Sequence, residues 1–70
     1  MTTPNRPISN REKCQEARRE AALRRKVYPP FVARRMITRQ DAERQIAIMD
    51  AIAEDYRMLA EHDEREERLL

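Results

Sequence analysis

The chain has 70 residues, one cysteine, one histidine and no glycine, with 40% charged residues against 4% aromatics. That length allows one small domain at most, and so small a domain normally needs a staple or a partner. A lone Cys14 excludes an internal disulfide, a lone His62 without neighbouring ligands argues against a structural metal, and no apolar run approaches bilayer length. The expectation is therefore a soluble, cytoplasmic protein with no metal, cofactor, small-molecule substrate or membrane contact. Self-association is expected to supply the missing core. A chain rich in Ala, Arg, Glu, Ile, Leu and Met, without the glycine that tight β-turns recruit, reads as all-α. Its net charge of +2 conceals an asymmetry: residues 1–44 carry 12 Lys/Arg against 5 Asp/Glu, and residues 45–70 carry 3 against 8. The basic half suits an acidic protein surface or nucleic acid, or equally the acidic half of the same chain folded back on it.

In chain order, MTTPNRPI (1–8) has two prolines and no periodicity, and reads as a flexible arm. Ser9 followed by Glu12 is a capping-box pattern, so a helix is expected over about 10–28. Cys14, Ala17, Ala21 and Tyr28 share one side of it, with Leu23 and Val27 beside them. Lys13, Arg18, Arg19, Arg25 and Lys26 take the opposite side. Glu12, Glu16 and Glu20 stand where neighbouring arginines of the same helix can reach them. Pro29 and Pro30 lack the N–H a helix needs and are expected to end it, opening a corner over 29–38. Pro-Pro-Phe-Val-Ala-Arg-Arg then has room for one short helical turn of its own.

Thr38, with Asp41 three residues on, caps a second helix over about 39–62. Ala42, Ile46, Met49, Ala53, Tyr56 and Ala60 form one stripe on it, and Ile48, Ile52 and Leu59 a second stripe beside the first. The hairpin domain spans 9–66, and 67–70 is expected to fray. Two apolar stripes are more than the thin face of the first helix can cover. The predicted fold is an antiparallel two-helix hairpin that dimerises into a four-helix bundle, with Ile48, Ile52, Tyr56 and Leu59 at the dimer interface.

No catalytic constellation is visible. The carboxylates fall at the spacings of surface ion pairs, and without glycine there is no phosphate-cradling loop. Cys14 on an Ala-rich face reads as a small buried hydrophobe. The corner is the candidate working surface: Arg24, Arg25, Tyr28, Phe31, Arg34, Arg35 and Arg39 bring together the Tyr and Arg types that dominate binding hot spots. Within that group Tyr28 and Phe31 are expected to hold the helix ends together, while Arg34 and Arg35 face outward to a protein partner. Nucleic acid is the alternative partner, weakened by the acidity and the wide apolar face of the second helix.

Arg18 to Tyr56 resembles a group of short proteins encoded by phages and prophages of proteobacteria. The resemblance rests on Val27-Tyr28-Pro29 closing a basic helix, on Met36 and Thr38 opening the next, and on Ala42, Arg44, Ile46, Met49, Ala51 and Ile52 along it. Ile37 between Met36 and Thr38, and Arg34-Arg35 in place of a small residue or glycine, depart from that pattern. In size and style the chain is similar to the phage quorum-sensing anti-activators. That resemblance implies a small helical dimer that binds and disables a host protein in the bacterial cytoplasm.

Overall fold

The helices are set by caps that the local sequence writes out. In a computed structural model, residues 6–69 are described, and they form α1 (Asn10–Ala33) and α2 (Arg39–Leu69), with no strand among them. At the start of α1, Ser9 Oγ accepts from the Glu12 backbone N–H at 3.0 Å, and Glu12 Oε2 accepts from the Ser9 N–H at 2.9 Å. That completes the capping box and satisfies two backbone donors that the first turn leaves over. The Ser9 N–H holds the Glu12 carboxyl below its ordinary range. Arg6 also bonds Glu12 at 2.9 Å. Residues 1–5 of the expected arm lie outside the described residues; Arg6 to Ile8 are non-helical and exposed.

The two prolines do not end α1, contrary to the expectation of a helix over about 10–28. Pro29 and Pro30 lie inside it, and the helix runs on to Ala33. A proline ring already holds a helical φ; its cost is the missing donor to the carbonyl four residues back. Those carbonyls belong to Arg25 and Lys26, which are exposed, as are both prolines, so water can serve them. The half-buried Phe31 and Val32 supply tertiary contact to the turn beyond.

What ends α1 is a Schellman motif. The Met36 N–H reaches the Phe31 carbonyl at 2.9 Å and the Arg35 N–H reaches the Val32 carbonyl at 3.0 Å. The motif needs a left-handed residue at its turn, and Arg35 takes that place with φ 60°. Thr38 Oγ1 then accepts from the Asp41 N–H at 3.0 Å, and α2 begins.

The second helix passes its expected end near 62 and includes Glu67, Arg68 and Leu69, which were expected to fray; Leu70 lies outside the described residues. Side-chain ties along α2 account for the extension. Arg57 bonds both Glu54 and Glu61, His62 contacts Glu66 at 2.9 Å, and Asn10 and Arg11 of α1 grip Asp63 and Glu64. Arg68 in the last turn also suits the negative end of the helix dipole.

The helices run antiparallel: Asn10 meets Asp63, Arg25 meets Asp50 and Tyr28 meets Gln45. The expected stripes face each other. Every fully buried apolar residue is small, namely Cys14, Ala17 and Ala21 on α1 and Ala42, Ala53 and Ala60 on α2. Ile46, Met49 and Tyr56 alternate with those alanines and are half-buried. Small residues let two helices approach closely but remove little apolar area from water. The result is one layer of helix pair. The Cα trace is 13 Å deep along its shortest axis, and its radius of gyration is 16.0 Å, against about 11 Å for a compact chain of this length.

The left-handed Arg35 yields a test. A side chain with a Cβ in this region costs roughly 1–2 kcal/mol, which glycine avoids. Arg35→Gly is expected to raise thermal stability by about 1 kcal/mol, read as a higher melting temperature by circular dichroism at fixed protein concentration. An unchanged or lower value would mean that the Arg35 side chain contributes to folding.

Candidate protein-binding corner and the exposed flank of α2

The corner is assembled from the last turn of α1, the Schellman turn and the first turn of α2. Its two aromatics hold it together. Tyr28 and Phe31 are half-buried, with ring centroids 6.3 Å apart and planes tilted by 31°. The Tyr28 hydroxyl donates to Gln45 Oε1 at 3.0 Å, tying the end of α1 to α2.

The arginines expected at this surface divide into two sets. Arg24 is the least exposed of them; it pairs with Glu20 at 2.9 Å and donates to the Gln45 carbonyl at 3.1 Å. Arg25 makes a two-pronged pair with Asp50, which raises its already high pKa. Both are engaged within the hairpin. Arg34, Arg35 and Arg39 are exposed and make no ion pair among the described residues. Arg34 caps α1, Arg35 sits on the left-handed bend, and Arg39 opens α2, with Glu43 one turn further along the same face but in no ion pair with it.

Beside these arginines lies an open groove of about 390 Å³. Tyr28, Pro29, Val32 and Ile46 give it apolar walls, while Arg25, Arg39 and Glu43 stand around it. An apolar slot edged by guanidinium groups fits a partner that offers an apolar side chain next to carboxylates. Ile46 had no place in the expected corner. Pro29 lines the groove because α1 continues through it.

The stripe assigned to a dimer interface also divides. Tyr56 is half-buried, and its ring lies under the Lys13 ammonium, 5.2 Å from the ring centre, so it belongs to the hairpin itself. Ile48, Ile52 and Leu59 remain 45%, 37% and 47% exposed. They lie roughly 100–140° round α2 from the buried Ala53, at ~3.6 residues per turn. This is the flank on which Lys13 covers Tyr56 and Arg24 reaches Gln45. The groove opens on the other flank, with Arg25, Asp50 and Arg57.

Glu54 is held below the ordinary carboxylate range by the hydrogen bonds from Arg57. No group of three or more His, Cys, Asp or Glu side chains among the described residues could hold a metal ion. Cys14 is buried in the helix seam. No described helix is long and apolar enough to cross a membrane. No family model matches the chain, and neither a curated protein nor a solved structure does.

Proposed function

We propose that this chain is a non-enzymatic interaction protein that pairs with a second copy and binds the acidic surface of another protein through its arginine corner. The observation that carries this reading is the set of exposed, unpaired Arg34, Arg35 and Arg39 beside an apolar groove, in a chain whose other corner arginines are engaged internally. Taken with the resemblance to phage-encoded hairpins, the partner is a host regulatory protein. The corner inhibits it by occupying its acidic surface.

Pairing follows from what the hairpin leaves uncovered. A seam of alanines buries little area, and burying one Ile or Leu is worth roughly 1.5–3 kcal/mol. Leaving Ile48, Ile52 and Leu59 in water forfeits several kcal/mol in a domain with little to spare. Two hairpins joined on this flank make a four-helix bundle, with both grooves open on its outer sides. Nucleic acid is the competing ligand for the same arginines, and a nuclease arm in the capture experiment separates the two.

Ile52→Asp places an uncompensated charge in the pairing flank. Light scattering is expected to give the mass of two chains for the wild type and of one chain for the variant. A wild type that is fully helical and one chain in mass at micromolar concentration would refute pairing.

For the corner, Arg34→Glu with Arg35→Glu is expected to leave helicity and dimer mass unchanged. Capture of the partner from nuclease-treated lysate should fall at least tenfold, since charge reversal repels an acidic surface as well as deleting contacts. Undiminished capture would make the corner a turn and nothing more. Recovery that disappears with nuclease would transfer the function to nucleic acid.

A further inference from the structure

Resting on the pairing just proposed, we infer its direction and register: the second copy lies antiparallel, α2 against α2, with the twofold axis passing between Ile52 and Asp55. The exposed stripe is close to symmetric about that point. Ile48 of one copy then meets Leu59 of the other, twice. Ile52 lies level with Asp55 of the other copy, at the edge of the stripe. One operation thus covers Ile48 and Leu59 of both copies and brings both Ile52 residues to the edge of the contact, as an isologous interface requires.

Charge selects the same direction. From Glu61 to Leu69, α2 carries five acids, Glu61, Asp63, Glu64, Glu66 and Glu67, against two arginines. The stretch level with it, Thr38 to Ile46, carries Arg39 and Arg44 against Asp41 and Glu43, with Arg34 and Arg35 beyond it. In the antiparallel register Glu66 lies level with Asp41 of the other copy, an approach of like charges, while Arg44, exposed and unpaired among the described residues, lies level with Asp63. The acidic end of each α2 thus lies beside a stretch of no net charge in the other copy, with Arg34 and Arg35 just beyond its last described residue. The negative C-terminal end of one helix dipole also lies beside the positive N-terminal end of the other. A parallel pair would set acidic end on acidic end, corner on corner, and Asp55 on Asp55. The length of α2 serves the same contact, because the residues after Glu64 run on past the start of α1, which pairs no further along than Asp63 and Glu64.

The consequence is a rod with its two corners at opposite ends, each beside the acidic helix end of the other copy. A ligand of the corner must then compete with Glu66 and Glu67 for the field of those arginines. Screening that attraction with salt weakens the pair, whereas it would strengthen a parallel one.

Cysteine cross-linking decides the register. In a Cys14→Ala background, chains bearing Ile48→Cys are mixed with chains bearing Leu59→Cys and treated with a short bis-maleimide. Both positions are exposed in the hairpin, so neither change disturbs its seam. The mixture is expected to give a cross-linked dimer that either chain alone gives at no more than a tenth of the yield. Identical positions are then about 16 Å apart along the helix, from eleven residues at ~1.5 Å each. Cross-linking of either chain with itself would overturn the antiparallel register while leaving the pairing in place. A dimer mass with no cross-link in any mixture would overturn the register in the same way. A one-chain mass for the uncross-linked background would overturn the pairing itself.

Discussion

The close seam of small residues between α1 and α2 sets the terms for everything else in this molecule. Cys14, Ala17 and Ala21 lie against Ala42, Ala53 and Ala60, and nothing bulky among the described residues is fully buried. Such a seam positions two helices well, because short side chains let the backbones approach and leave few rotamers to order. It is poor in hydrophobic stabilisation, since the apolar area removed from water is small. Cross-helix polar ties fill part of that gap: Arg11 to Glu64, Arg25 to Asp50, Tyr28 to Gln45, and Lys13 over Tyr56. These are exposed or half-exposed pairs, which water and salt screen, so each contributes little. They fix register more than they add stability.

The same thinness organises the surface. A single layer of two helices has two broad flanks and almost no interior. One flank carries Ile48, Ile52 and Leu59; the other carries the groove and the ion pairs of Arg25 and Arg57. Pairing on the first therefore leaves the second accessible. The two roles proposed for this chain use different apolar residues, and Arg34, Arg35 and Arg39 stand at the end where the flanks meet.

Much of this was legible in the sequence, for identifiable reasons. The capping signals at Ser9–Glu12 and Thr38 are local and were read correctly, as were the facing stripes of Cys14-Ala17-Ala21 and Ala42-Ala53-Ala60. The helix ends were not. Pro29 and Pro30 were expected to break α1, yet whether a proline breaks a helix depends on the exposure of the carbonyls it orphans, and exposure is a tertiary property. The end of α2 was placed too early because its last turns are held by Arg11 and Asn10, more than fifty positions away. At the corner, residue type identified the arginines. Only the fold separated Arg24 and Arg25, spent on Glu20, Gln45 and Asp50, from Arg34, Arg35 and Arg39. Arg35 is an arginine where a small residue or glycine suits the turn, and its positive φ is the physical content of that departure.

The central claim is that the hairpin is half of a structure, its stability completed by a second copy. Its most direct test is the melting temperature of the wild-type chain over a hundredfold range of protein concentration. If folding is coupled to pairing, mass action raises the midpoint as concentration rises. The account predicts that rise, with a single transition in which helicity and dimer mass are lost together. A midpoint independent of concentration, at the mass of one chain, would contradict it.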